Sequence, residues 1–253
     1  MNTLKINTFY VFLALLFILL NGCKSTKKEQ EPVFEEINKN TNAKGQLLQI
    51  NVIEGPEHNH PLLAIWLEEK DGRFVQTLFV AQSIGKGIFE HGKADKGQWK
   101  PGEIQRPAAL PVWSHRQQGK KNKYGNYLPT PDNPVPDTYT GATPKQSFVL
   151  KVRSNEPIEK PVKIMMEINQ AFDWNEYWTN DKYPGEEEYK NSAQPAVVYE
   201  GMINPKYTDS TYTLKPIGHA HYAGKNGKIY EDLSTITTAQ KIVRRVTVTI
   251  KEN

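Results

Sequence analysis

Apolar and polar residues alternate along much of the chain. Leu48, Ile50 and Val52 are separated by polar positions, the period-two signature of a half-buried strand. Residues 62–68 (LLAIWLE) and 73–80 (RFVQTLFV) flank Glu69-Lys70-Asp71-Gly72. An Asp-Gly pair between such runs predicts a β-hairpin, because Gly supplies the positive φ of the turn. Val162, Ile164, Met166 and Ile168 alternate with Lys163, Met165 and Glu167, and Val246, Val248 and Ile250 with Arg245, Thr247 and Thr249. Segments 147–153, 196–203 and 211–217 complete a set of about eight strands. No window holds a helical period over three turns; short helical pieces are expected at 173–178 and 235–240. The expected architecture is all-β: an immunoglobulin-like antiparallel β-sandwich, one domain over residues 46–253.

The amino terminus departs from this pattern. After Lys5, residues 9–21 read FYVFLALLFILLN, too short to anchor across a bilayer and suited to the core of a secretory signal. The run ends at Leu20-Asn21-Gly22-Cys23, which resembles the bacterial lipobox. The resemblance implies that residues 1–22 are a lipoprotein signal peptide and that Cys23 is acylated as the first mature residue. Each buried methylene of such a lipid contributes about 0.8 kcal/mol. Residues 23–45, polar and mixed in charge, are expected to form a flexible linker. Basic residues after the cysteine, without Asp at the second position, resemble the sorting pattern for the outer membrane. The expected address is the bacterial cell envelope, lipid-anchored at the outer membrane and facing the periplasm.

Cys23 is the only cysteine, which excludes a disulfide framework and a cysteine-built metal cluster. A net charge of +4 is too small a basic excess for a nucleic-acid binder. An immunoglobulin-like sandwich needs about 100 residues, and the excess falls in two stretches without strand pattern, 81–146 and 169–195. Long loops of this kind are usually functional or disordered, and disordered ones are poor in aromatics. The first holds Trp99, Trp113, Tyr124, Tyr127 and Tyr139; the second holds Phe172, Trp174, Tyr177, Trp178 and Tyr183. These rings are expected to pack, either on the sheet or around a ligand.

The first loop ends in Asp137-Thr138-Tyr139-Thr140-Gly141-Ala142-Thr143-Pro144. Asp-x-x-Thr-Gly-Ala-Thr resembles the acceptor motif of proteins carrying covalent FMN. The resemblance implies that an exported flavin transferase moves FMN onto the Thr143 hydroxyl as a phosphoester, with Asp137, Thr140, Gly141 and Ala142 completing the motif. Pro144 disfavours the helical region for Thr143 and presents it extended. The proline-rich run 128–136 is expected to keep the segment stiff, exposed and unpaired; the alternative is an Asx-type turn feeding the strand at Ser147. Three segments, LLAIWLEEKDGRFVQTLFV, TGATP and GHAHYAGKNGKIYEDLSTITTAQKIV, resemble a family of predicted periplasmic proteins of unknown function, often found in exported flavin-linked electron transfer. The implied function is electron carriage to an unidentified redox partner, since the flavin ring supplies the redox chemistry and the protein holds it. Tyr139, Trp113 and Tyr127 are the expected stacking surfaces, and Arg116 or Lys120, Lys121 and Lys123 the expected cations.

Histidine offers a second chemistry. His219 and His221 would share one face of a strand, a geometry suited to a metal, and His58 and His60 repeat the spacing, with His115 beside Trp113. Glu186-Glu187-Glu188 reads as a solvated turn. No nucleophile elbow and no free thiol is present, so an autonomous enzyme is not expected. A lipid-anchored β-sandwich binding a glycan through exposed aromatics is the non-redox alternative.

Overall fold

The computed structural model describes residues 33–252; the expected signal peptide, Cys23 and the expected linker as far as residue 32 lie outside them. It is mostly β, built on a curled sheet. The strands are β1 (Glu35–Lys39), β2 (Leu47–Glu54), β3 (Leu62–Glu68), β4 (Phe74–Ala81), β5 (Ile88–Asp95) and β6 (Gln98–Glu103), then β7 (Thr140–Gly141), β8 (Phe148–Arg153), β9 (Val162–Asn169), β10 (Val197–Ile203), β11 (Thr211–His219) and β12 (Val243–Lys251). Three short helices join them: α1 (Gln82–Lys86), α2 (Pro111–Arg116) and α3 (Glu187–Ser192).

Ten strands follow the order β1-β8-β2-β12-β11-β10-β9-β3-β4-β7, while β5 and β6 pair with each other as a separate ribbon. Strand β11 spans both halves of the sheet. Its first residues, Thr211–Leu214, pair with β12, and its last ones pair with β10 across a bulge beside Pro216. Proline cannot donate to a ladder and is tolerated at such irregularities.

The alternating residues of β2, β8 and β12 meet those of β3, β9 and β10 in one core: Leu48, Ile50, Phe148, Leu150, Val248 and Ile250 with Leu63, Ile65, Ile164, Met166 and Val197. The opposite face of β3, β4, β9 and β10 is also covered. Ala64, Trp66, Val80, Met165 and Val198 pack beneath Leu110, Val112 and Trp113. Burial on both faces explains why residues 62–67 are a continuous apolar run.

Two buried carboxylates tie α2 to this second layer. Glu68 accepts from Trp66 Nε1 at 2.8 Å and Arg116 Nε at 3.1 Å. Glu167, with no exposed surface, accepts the backbone N–H groups of Val112 at 3.1 Å and Trp113 at 2.8 Å, donors that the first helical turn leaves without intrahelical partners.

All eight expected strands are present, with three corrections. Residues 35–39, expected within the flexible linker, form β1, which pairs in parallel with β8. Ile37 packs against the core and Lys151 Nζ bonds Glu36 at 2.8 Å; one apolar side chain in EEINK leaves no readable alternation. The stretch 81–146 contains α1, α2, β7 and the β5–β6 ribbon instead of being irregular. The helix expected at 173–178 is a turn in which Asn175 Oδ1 accepts the N–H groups of Tyr177 and Trp178; the helix of that loop is α3. A 3-10 turn at Ala239–Lys241 answers the expectation at 235–240.

Candidate functional site

Trp174, Trp178 and Tyr183 of the second loop are packing residues. Trp178 and Tyr189 are buried, and Tyr183 stacks on Tyr222 at 3.9 Å with the planes 7° apart. This cluster holds the loop on the core and absorbs the histidine pair. His219 stacks on Tyr230 at 5.4 Å and meets Trp178 edge-on, with Nδ1 2.8 Å from the Ala220 carbonyl oxygen. His221 stacks on Tyr222 and its Nδ1 accepts the Ala223 N–H at 3.0 Å. Burial lowers the pKa of both rings. His58 reaches the Pro144 carbonyl oxygen and His60 the Asn59 side chain, so the two pairs do not converge. Among the described residues no three His, Cys, Asp or Glu side chains gather as a metal site.

The stacking surfaces expected from sequence pack on the second core cluster of the protein. Trp113 is fully buried, its Nε1 donating to Thr77 Oγ1 at 3.0 Å. Tyr139 is half-buried and its hydroxyl donates to Asn155 Oδ1 at 2.7 Å; Tyr127 is half-buried, and desolvation raises its pKa. Arg116 is engaged by Glu68. Lys121 donates to the His115 carbonyl and Lys123 sits over the Tyr124 ring, so this run is an exposed loop.

Another part of the surface gathers the candidate chemistry. A cleft of about 1160 Å³ is bounded by the β5–β6 ribbon, by the segment after β7 and by the second loop. Its lining includes Phe89, Trp99, Arg106, Phe172, Glu188 and, from the acceptor-like motif, Ala142 and Thr143. Trp99 and Phe172 are 67% and 63% exposed, unlike the other tryptophans and the core phenylalanines. Arg106 lies 5.8 Å above the Phe89 ring and lowers the pKa of Glu188, which burial raises. Glu188 Oε2 is buried without a hydrogen-bond partner.

The motif itself is docked, not free. Tyr139 and Thr140 close main-chain turns onto the carbonyls of Pro136 and Asp137 at 3.0 and 3.3 Å. Thr140 and Gly141 then pair in parallel with Val80 and Ala81, and the Val135 N–H donates to the Gly85 carbonyl at 2.7 Å. The expectation of an exposed, unpaired segment is therefore corrected: proline restricts the backbone but leaves Val135, Tyr139 and Thr140 free to bond the neighbouring strand and helix. Asp137 is ion-paired to Lys86, which holds its carboxyl below the usual range, and Lys86 reaches the cleft lining. Lys39, at the end of β1, donates to the Asp137 carbonyl at 3.2 Å. Thr143 is half-buried and follows the last paired residue by two positions.

Gly141 has a packing reason of its own, since a Cβ there would fall 2.7 Å from the Phe79 ring. Gly141→Ala should cost about 1–3 kcal/mol by overpacking; a urea midpoint unchanged from that of the parent would contradict this. Arg106 and Lys86 escape motif reasoning, Phe172 belongs to the aromatic excess of the second loop, and Glu188, expected in a solvated turn, instead lies on α3 with one carboxylate oxygen buried. No family model, curated protein or solved structure matches this chain.

Proposed function

We propose that the chain is a lipid-anchored carrier of covalent FMN, attached at Thr143, that passes electrons at the bacterial outer membrane on its periplasmic face. The observation that carries this reading is that Thr143, the acceptor position of the motif, borders the large cleft whose lining offers two exposed aromatic faces and cations. These residues fit the group. Lys86 and Lys145 in the same lining suit a phosphoester, and Trp99 and Phe172 suit a planar ring, because aromatic faces stack favourably. When bound, FMN would supply the electron chemistry; the protein's part is to hold the ring and limit its contact with water.

The same reading takes the curled sheet as an immunoglobulin-like sandwich. Its support is that β11 runs from one half to the other and that both halves share a core. It also keeps Cys23 as the lipid anchor, an exported flavin transferase as the modifying partner and the resemblance to the periplasmic family of unknown function.

Coexpression of the mature chain with an exported flavin transferase, followed by in-gel fluorescence after denaturation and by intact mass, tests the carrier. The expected result is a fluorescent band with the mass of one added FMN, lost in Thr143→Ala. A dark, unmodified wild-type band rejects it. Exposed Trp99 and Phe172 also favour a second reading, a cleft that stacks on sugar faces; glycan-array binding lost in Trp99→Ala, with no flavin on the wild type, would establish that instead.

A further inference from the structure

Four observations converge on the lining of the cleft. Phe172 lines it while 63% exposed and with φ at +59°. A bulky non-glycine residue in the left-handed region costs roughly 1–2 kcal/mol, and such strain persists where the surroundings enforce it. Here the enforcement comes from hydrogen bonds that pin its backbone on both sides, Phe172 N–H to the Asn191 carbonyl and Trp174 N–H to the Phe172 carbonyl, each 3.1 Å. The ring is thus held out of the core, toward the cleft. Trp99 on β6 supplies a second exposed face from the ribbon. Arg106, carried on Phe89, brings donors and no acceptor. Glu188 brings an acceptor-only carboxylate with one oxygen buried and unbonded, an arrangement that calls for a donor because an unsatisfied buried polar group is costly.

We propose that this region recognises the pyrimidine edge of the flavin ring, Glu188 accepting the ring N3–H and Arg106 donating to a flanking ring carbonyl, with Trp99 and Phe172 against the ring faces. A planar imide presents a donor between two acceptors, which is the complement of a carboxylate beside a guanidinium. A sugar offers no such flat edge, and a simple anion would be repelled by Glu188. The proposal rests on the carrier reading for its ligand but not on covalent attachment.

The test uses the Thr143→Ala chain, which cannot take the phosphoester, titrated with riboflavin and with N3-methylriboflavin while flavin fluorescence is followed. Riboflavin should bind with quenching, and the methylated analogue about tenfold or more weakly, since one hydrogen bond to a charged group is lost. In Glu188→Ala and in the shape-preserving Glu188→Gln the tenfold gap should narrow, because Ala has no acceptor and the Gln amide is a weaker one than a carboxylate. Trp99→Ala, at an exposed position where folding is not at stake, should lose the quench. Equal affinity for the two flavins, or no riboflavin binding up to its solubility limit, would overturn the proposal. If wild type carries covalent flavin while Thr143→Ala binds none, this inference fails alone. If Thr143→Ala binds riboflavin with the expected preference while wild type is never modified, the carrier fails and the ring site stands.

Discussion

Trp113→Ala should destabilise the fold by about 3–5 kcal/mol, the range for truncating a large aromatic in a packed interior. Trp113 has no exposed surface and fills the layer between α2 and the outer face of β3, β4 and β9 together with Trp66, Met165 and Leu110. Its loss removes that volume and also the donor to Thr77 Oγ1, leaving the buried hydroxyl with Gln117 Oε1 at 3.3 Å. A urea titration reads the effect as a fall in midpoint at nearly constant slope. Trp99→Ala, by contrast, should leave the midpoint within about 0.5 kcal/mol, as is usual for surface changes. A Trp113→Ala chain with a midpoint equally unmoved would mean that this tryptophan is not a core residue and would restore it as a ligand surface.

The second large effect is a pH dependence of stability from Glu167. Burial pushes its carboxyl from the ordinary 4.5 up to about 8, against the opposing pull of the Trp113 and Val112 N–H groups and the Arg116 charge. A carboxyl whose folded value exceeds its unfolded one binds the proton more tightly in the folded state. Its contribution is therefore complete below pH 4.5, declines as pH rises and is gone above about 8. Within that window the slope approaches 1.4 kcal/mol per pH unit. Glu167→Gln replaces the neutral acid by a neutral amide of similar shape and should remove the slope. The measurement is the wild-type minus variant difference in unfolding free energy from pH 5 to pH 9. It should shift against wild type as pH rises to about 8 and level off above it, and a difference constant with pH would contradict the assignment.

Strand content was legible where one face meets the core and the other meets water. The alternation at 48–52 and 246–250 and the Asp71-Gly72 turn, with Gly72 at φ +87°, each express a local rule that the tertiary structure keeps. β5 and β6 were hidden for a related reason. Nearly all their residues are exposed or half-buried, so no face needed apolar residues and IFEHGKADKGQWKPGE carries no alternation. With Phe89 packed on the core and the rest of its residues exposed or half-buried, the ribbon forms a wall for the cleft. The motif fixed attention on Thr143, which borders the cleft. Sequence proximity then suggested Trp113 and Tyr139 as its companions, but the chain turns into α2 and β7 between them, and the exposed rings come from residues 44 positions before Thr143 and 29 after it. Spatial company of that kind is set by loop paths that no local pattern records.

The position of β12 bears on how the chain reaches this structure. It follows every other strand in sequence yet lies between β2 and β11, with Lys251 beside Leu47 and Val246 beside Val52. Most of a growing polypeptide must therefore wait, with Leu48, Ile50 and Val52 uncovered on one flank, until residues 243–251 arrive to close the seam. Non-local closures of this kind are slow, on the order of milliseconds to seconds. A chain cut short near residue 242 would keep two half-sheets without their joining strand, and it should be the protease-sensitive, aggregation-prone form of an otherwise orderly protein.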